Sequence, residues 1–449
     1  MGRLFGTDGV RGIANSELTP ELSFKLGKAG AYVLSKDKKR PVVLIGKDTR
    51  LSGDMLEDAL SAGILAVGGN VIKVGVLPTP AVAYLVKAYN ADAGVVISAS
   101  HNPYEYNGIK FFNGDGFKLD DSIEDEIEDI ILRDIDVNSH ITGDRLGRCL
   151  DADDDAAGKY AEFLESTIDV DIEGTKIVLD CANGAAYSVA EKVYRDLKAD
   201  VTVIGNTPNG VNINDKCGST HTEMLCKEVV KQKALLGLAY DGDADRLIAV
   251  DEKGRVIDGD KLICICAKMM KDENKLPGDI VTATVMSNLG FHKYMESIGC
   301  SVEVTSVGDR YVLESMLKTG CNIGGEQSGH IIFLNHTTTG DGILSSLQLL
   351  KAVILSGKKP SRLSDEIEIF PQVLRNARVK NENKTKFMDD GIIKKAIADV
   401  QQEVEGMGRV LIRPSGTEPL VRVMLEGQNV EHIAKLAENL ASLLTKRFG

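Results

Sequence analysis

A chain of 449 residues is too long for one hydrophobic core and predicts about three or four domains. Hydrophobic residues at 43% and charged residues at 27% are the proportions of an ordinary globular protein, and a net charge of −13 excludes a nucleic-acid surface, which needs clustered positive charge. Anionic small molecules stay open as ligands, because a few arginines in one pocket act locally.

Along the chain, short apolar β-branched runs alternate with helical patterns. "PVVLIG" (41–46), a helical stretch at 54–68, "VIKVGV" (71–76) and "AGVVI" (93–97) come first. The acidic stretch 120–136 carries Ile123, Ile127, Ile130 and Ile131 at helical spacing, which predicts a solvated amphipathic helix closing the first unit. "KIVLD" (176–180), "VTVIG" (201–205) and "LLGLAY" (235–240) repeat the pattern, as do "DIVTATV" (279–285) and "SVEVTSV" (301–307). Such alternation predicts three successive α/β units with parallel or mixed sheets. Residues 356–371 mix Pro, Gly and charges and suit a linker. Beyond it, 408–427 reads as strand, loop, strand, and 430–444 places Ile433, Leu436, Ala437, Leu440, Leu443 and Leu444 on one helical face, so a smaller α+β domain ends the chain.

The eight cysteines are scattered without a C-x-x-C pair, since Cys264 and Cys266 form only C-x-C; reduced thiols in a cytoplasmic protein are expected. The opening "MGRLFGTDGVRG" suits neither a secretory leader nor myristoylation, and no apolar run approaches the ~18 residues of a membrane span.

"SASHNP" (98–103) follows the apolar run 93–97, so Ser100 and His101 stand where a strand ends. A helix start is one explanation, because Ser and Asn cap helices and Pro suits a first turn; a reactive serine is the other. "DGDADR" (241–246) crowds Asp241, Asp243 and Asp245 into five residues, with no counter-charge evident beyond Arg246. A shared cation explains such crowding better than a solvated turn. A calcium loop of EF-hand type is excluded on detail: Glu252 falls at the twelfth position, but Arg246 replaces the required glycine and "LIAV" is strand-like. Mg²⁺ shared with a phosphate fits three carboxylates better. Lys110, in "NPYEYNGIKFF", is either an acid/base group or a surface lysine. "RPSGTEPLVR" (413–422) is an anion clamp of Arg413, Ser415, Gly416, Thr417 and Arg422, or else a polar hairpin. In "GGEQSGH" (324–330), Glu326 and Ser328 either bind sugar hydroxyls or sit in a plain turn. There is no P-loop and no G-x-S-x-G elbow.

Taken together, "GTDGVRG" (6–12), "SASHNP" with Lys110, "DGDADR", "GGEQSGH" and "RPSGTEP" resemble the signature loops of the α-D-phosphohexomutase superfamily, in family order over the whole chain. "FGTDGVRG", the glutamine of "GGEQSGH" and "VGDRYV" (307–312) are most similar to its bacterial glucosamine-phosphate branch. The resemblance implies three related mixed-sheet α/β domains (1–152, 153–254, 255–366) and a C-terminal α+β domain (372–449) around a central cleft. It implies a mutase that interconverts glucosamine 6-phosphate and glucosamine 1-phosphate through a phosphoserine and a 1,6-bisphosphate. The product would feed UDP-N-acetylglucosamine and cell-wall synthesis.

On that pattern Ser100 is the phosphoserine, and Asp241, Asp243 and Asp245 hold one Mg²⁺ together with its phosphate. Lys110 handles protons, with Arg11 and His101 nearby. Glu326, Ser328 and Arg246 face the sugar, and Arg413, Ser415, Gly416, Thr417 and Arg422 take the non-reacting phosphate. Ser306 stands where many relatives would carry a basic residue, which shifts that charge to Arg310. A glucose- or mannose-phosphate mutase and a non-catalytic phosphosugar-binding protein are the alternatives. The partner is a phosphosugar, with neither nucleic acid nor membrane, and a homodimer is allowed.

Overall fold

The run "AGVVI" forms strand Ala93–Ile97, buried at all five positions, as a strand covered on both faces requires. The computed structural model describes residues 4–6, 8–34, 38–151, 155–384, 386–415 and 419–449. They divide into two units, Met1–Met286 with Gly299–Asp365, and Ser287–Ile298 with Glu366–Gly449.

The first unit holds three mixed sheets. One has six strands in the order Val10–Ile13, Tyr106–Asn113, Ala93–Ile97, Val42–Lys47, Asn70–Val76 and Cys149–Leu150. From Ala93–Ile97 onward its pairs are parallel, while Tyr106–Asn113 is antiparallel to both neighbours. The second runs Val256–Ile257, Leu247–Asp251, Leu236–Tyr240, Lys176–Asp180 and Asp200–Ile204. The third runs Ser301–Thr305, Ile280–Thr284, Ile323–Gly325 and Ile331–Phe333.

In every one of these sheets a parallel strand is followed by a strand that turns back antiparallel beside it: 93–97 into 106–113, 236–240 into 247–251, and 323–325 into 331–333. The turn-back loops are 98–105, 241–246 and 326–330, and they contain three of the motifs singled out above. A short loop suffices there because antiparallel neighbours need no crossover.

The second unit is a three-stranded antiparallel sheet, in the order Gln372–Arg378, Leu420–Gly427, Gly408–Pro414. Helix Val430–Phe448 buries Ile433, Leu436, Ala437, Leu440, Ala441 and Leu444, the face expected from its spacing, except that Leu443 is only half-buried. Helix Leu289–Ser297 belongs to this unit, tied by Asn288 Nδ2 donating to the Phe370 carbonyl at 2.9 Å and by the Leu289 amide donating to Glu426 at 2.9 Å. Three α/β sheets and a smaller C-terminal domain are the expected architecture.

One expectation needs correction and two alternatives are decided. "SASHNP" is not a helix start: the chain turns through 98–105 and enters strand Tyr106–Asn113, because its serines bond to carboxylates rather than to helix amides. Residues 356–371 are not wholly linker, since Pro360–Asp365 is helical and Glu252 accepts both the amide and the hydroxyl of Ser361. That use of Glu252 also accounts for its having no part in a calcium loop. Lys110 is no surface lysine; it is buried within its strand. All eight cysteines are free thiols, and no described helix is long and apolar enough to cross a membrane.

Helices Pro20–Leu34 and Gly53–Ala66 approach backbone to backbone through two glycines. A Cβ on Gly27 would lie 2.2 Å from the Leu60 carbonyl oxygen, and one on Gly63 would lie 2.1 Å from that of Phe24. Helix propensity alone would favour Gly27→Ala by about 1 kcal/mol, whereas overpacking costs about 1–3 kcal/mol. Packing should win. Gly27→Ala is expected to lower the urea midpoint of the first unit, and a raised midpoint would show that the two helices can separate freely.

Candidate active site

Ser100 is buried and holds φ +53°, a left-handed conformation that a non-glycine residue adopts at a cost of order 1–2 kcal/mol. The surrounding bonds hold it there. Its hydroxyl donates to Asp241 Oδ2 at 2.6 Å and lies 3.4 Å from His101 Nδ1. Its amide donates to Ser98 Oγ at 2.9 Å, and the Ser98 hydroxyl donates to Asp48 Oδ2 at 2.6 Å. The Ser100 carbonyl accepts from Arg50 Nη2 and from Asn214 Nδ2, both at 2.9 Å. Gly242 is required beside it, since a Cβ there would lie 2.5 Å from that same carbonyl oxygen. Burial, and then the positive charges of Arg246 and Arg11, push His101 down to about 4, so it is neutral at pH 7.

Asp241, Asp243 and Asp245 are all buried, with one ligand oxygen from each lying within 4.8 Å of the others. A solvated turn is thereby overturned. Burial and mutual repulsion hold the Asp241 and Asp245 carboxyls above the usual carboxylate range. Asp243 goes the other way: burial would raise it, but Lys110 beside it holds it low. The expectation that these carboxylates lack a counter-charge is therefore wrong for Asp243, whose Oδ2 accepts from Lys110 Nζ at 2.8 Å and from the Thr79 hydroxyl at 2.6 Å. The partner came from a strand 133 residues away in sequence. Asp243 Oδ1 and Asp245 Oδ1 are buried with no hydrogen-bond partner among the described residues, the condition that a bound cation relieves. The three residues fit a hard divalent metal.

Lys110 also reaches Asp8 Oδ2 at 2.9 Å and stands 3.9 Å from Asp245. Burial would lower its pKa, but Asp243, Asp8 and Asp245 outweigh that and raise it, so the amine stays charged. The charges continue as a chain. Asp8 accepts from Lys118 Nζ at 2.7 Å, and Lys118 pairs with Asp309. His330 Nε2 lies between Asp309 and Asp245, 3.6 Å from the first and 3.8 Å from the second. Arg11 pairs with Asp8, from a strand position opposite Gly108. Arg246 is half-buried, its Nε 3.8 Å from Asp245 Oδ1, and its backbone bridges that of His330.

Glu326 and Ser328 lie on the third turn-back loop. Glu326 is half-buried with Oε1 accepting the Gly308 amide at 3.0 Å, and Ser328 is exposed. Arg310 does not turn toward this loop's chemistry, because its guanidinium is taken by Asp121 and Glu314. In the second unit, Arg413 and Arg422 stand directly opposite each other on adjacent strands. Facing like charges repel, and burial, then Arg422, push Arg413 below the usual arginine range. Ser415 is buried, but its amide donates to the Leu420 carbonyl at 2.9 Å and so is not offered to an anion as expected. Lys384 Nζ donates to the Ser415 carbonyl at 3.0 Å, a third cation at this loop. Gly416 and Thr417 lie outside the described residues.

Asp8, Asp48, Arg50, Thr79, Lys118, Asn214, Asp309, His330 and Lys384 were not found from the sequence. Asp8, Asp309 and His330 stand inside the quoted motifs, and "KDTR" (47–50) follows a strand just as "SASHNP" does, so position at a strand end was the usable signal.

Four family models match in succession: "Phosphoglucomutase/phosphomannomutase" α/β/α domains I (residues 2–137), II (158–254) and III (258–370), and the C-terminal domain (374–443). A phosphoglucosamine mutase of Caldicellulosiruptor bescii is 56% identical over 449 residues, covering 100% of both chains. A solved phosphoglucomutase/phosphomannomutase family protein of Burkholderia thailandensis superposes with TM-score 0.83 at 22% identity, covering 99% of this chain and 97% of that one. N-acetylphosphoglucosamine mutase of Aspergillus fumigatus, solved with GlcNAc-6P and magnesium, superposes with TM-score 0.71 at 17% identity, covering 99% and 96%. At those identities the two structures speak to the fold. With its four domains matched in order and a relative more than half identical along its full length, the chain belongs to the phosphoglucomutase/phosphomannomutase family.

Proposed function

We propose that this enzyme interconverts glucosamine 6-phosphate and glucosamine 1-phosphate, with Ser100 as the phosphoryl carrier and a hexosamine 1,6-bisphosphate as intermediate and primer. The observation that carries the reading is the Ser100 hydroxyl, held in a strained buried loop and bonded to one of three clustered carboxylates. The full-length relative at 56% identity supports the amino sugar as substrate. The four-domain division at 1–152, 153–254, 255–366 and 372–449 and a cytoplasmic location belong to the same reading, as does supply to UDP-N-acetylglucosamine synthesis.

In the forward half-reaction the P–O bond to Ser100 Oγ breaks and a P–O bond to the sugar hydroxyl forms. Lys110, kept charged, faces the transferred group and can return a proton to Ser100 Oγ as the phosphoryl leaves. His330, buried with neither ring nitrogen hydrogen-bonded among the described residues, is placed to accept the proton of the sugar hydroxyl. Mg²⁺ held by Asp241, Asp243 and Asp245 would neutralise charge developing on the phosphoryl oxygens. Neutral His101 and charged Arg11 stand at the edge of this centre. Glu326, Ser328 and Arg246 are assigned to the sugar, and Arg413, Ser415, Gly416, Thr417 and Arg422 to the phosphate that is not reacting.

The test is a panel of glucosamine, glucose and mannose phosphates, each primed with a hexose 1,6-bisphosphate, compared by kcat/KM. Glucosamine phosphate should lead by roughly ten- to two-hundredfold, the range that one polar substituent supplies. A mannose or glucose preference would move the substrate assignment and leave Ser100 in place. Purified protein should carry phosphate on Ser100 by peptide mapping, and Ser100→Ala should lose at least about a thousandfold in kcat. Phosphate on Ser98 with an active Ser100→Ala variant would remove the carrier assignment.

Mg²⁺ binding should be measurable by calorimetry without substrate. Asp241→Asn, Asp243→Asn and Asp245→Asn should each weaken it, because amides are poorer ligands for a hard cation. Unchanged titrations would rule out the cage.

Arg413→Ala and Arg422→Ala should raise KM for the phosphosugar while leaving Ser100 phosphorylated. Lysine replacements should recover only part, lacking the planar fork. Wild-type KM in both alanine variants would make the loop a simple hairpin.

A further inference from the structure

Arg50 is the most heavily used buried side chain near Ser100, and none of its bonds goes to the reacting oxygen. Its side chain and that of Asp48 are both 0% exposed, with Nε donating to Asp48 Oδ2 at 2.8 Å. Nη2 donates to the carbonyls of Ser100 and Asn102, both at 2.9 Å, and Nη1 to that of Pro103. Asn214, from the neighbouring sheet's loops, donates to the same Ser100 and Asn102 carbonyls at 2.9 and 3.1 Å. Through Ser98, Asp48 also anchors the Ser100 amide. Both backbone polar groups of Ser100 are therefore held by a cluster that never touches Oγ.

We propose that Arg50 and Asn214 are positioning residues that keep the Ser100 loop in one place whether or not it carries phosphate. The inference rests on Ser100 being the phosphoryl carrier. During turnover Ser100 exchanges a doubly negative phosphoryl group for a neutral hydroxyl beside three carboxylates. A loop anchored only through its phosphate would shift at that exchange, and a displacement of about 1 Å can cost on the order of a hundredfold in rate. Anchors on the carbonyls do not use the phosphate oxygens, so their hydrogen bonds remain when the phosphoryl group leaves. The bisphosphate intermediate then meets Oγ where it left it, and return of the phosphoryl group outruns escape of the intermediate.

Two variants test this. Asn214→Asp preserves size and tolerance of the left-handed backbone (φ +58°) while replacing both donors with an acceptor. The pair Asp48→Asn with Arg50→Met removes the guanidinium without leaving a buried charge unpaired. Each is assayed for kcat, KM, melting temperature and bisphosphate released per turnover. The expected result is kcat lower by about ten- to a hundredfold with KM within about twofold. Release of bisphosphate should rise, so that activity decays during the assay unless glucose 1,6-bisphosphate is added.

A merely structural role would lower the melting temperature and leave the release ratio as in wild type, and that outcome in Asn214→Asp overturns the proposal even if the double variant does not fold. If the wild type carries no phosphate on Ser100, the carrier assignment fails and this inference with it. If the wild type behaves as a phosphoenzyme and the variants retain their phosphate through turnover as it does, this inference alone fails.

Discussion

Three buried carboxylates within 4.8 Å of one another cannot all be ionised without positive charge close by, and the first unit is organised around that constraint. At an effective dielectric of about 20, two like charges 4 Å apart repel by about 4 kcal/mol, a large fraction of a domain's net stability. Lys110 meets part of the demand and is itself held by Asp8, which is held by Lys118, which is held by Asp309. Signs alternate along this chain from Asp243 to Asp309, so each of these five charges has an opposite neighbour. The remaining oxygens, Asp243 Oδ1 and Asp245 Oδ1, are where this chain stops and a cation fits.

Ser100, the three carboxylates and His330 come together because the same structural position is used three times. In each α/β sheet the connection between the last parallel strand and its antiparallel successor carries residues of the candidate site: a serine at 98–105, carboxylates at 241–246, a glutamate and a histidine at 326–330. A strand end fixes backbone direction, and a short return loop has little freedom, so side chains placed there are aimed more rigidly than on a long loop. The bridge between Arg246 and His330 and the bond from the Leu247 amide to the Gly329 carbonyl at 2.9 Å lock the second loop to the third. The Ser100 hydroxyl, donating to Asp241 Oδ2 at 2.6 Å, ties the first to the second. In the second unit, Arg413 and Arg422 also border a hairpin connection, that between Gly408–Pro414 and Leu420–Gly427.

Local patterns were legible in the sequence, and partners were not. Continuous apolar runs announced the strands, and crowding of Asp241, Asp243 and Asp245 announced a cation, because both signals lie within a few neighbouring residues. Lys110 was legible only as a residue of uncertain setting, since what buries it is its pairing with strand Ala93–Ile97, and what charges it is Asp243, 133 residues away. "SASHNP" left a helix start and a reactive serine both open because Ser, Asn and Pro serve caps and tight turns equally well; only the distant acceptors Asp48 and Asp241 decide between them. Helix Pro360–Asp365 was hidden in a Pro- and Lys-rich stretch, where its anchor, Glu252, lies more than a hundred residues upstream.

The same separation of local from global resolves the apparent conflict between a chain of net charge −13 and an anionic substrate. Surface carboxylates more than about 10 Å away are largely screened at ordinary ionic strength, whereas buried charges act at short range and nearly unscreened. An anion near a cluster of buried groups is therefore met by the charges beside it, not by the chain's sum. Arg413 and Arg422 face each other across adjacent strands, so their like charges lie close together. A lysine pair would bring the same charge there but not the planar two-pronged grip that a guanidinium offers an oxyanion.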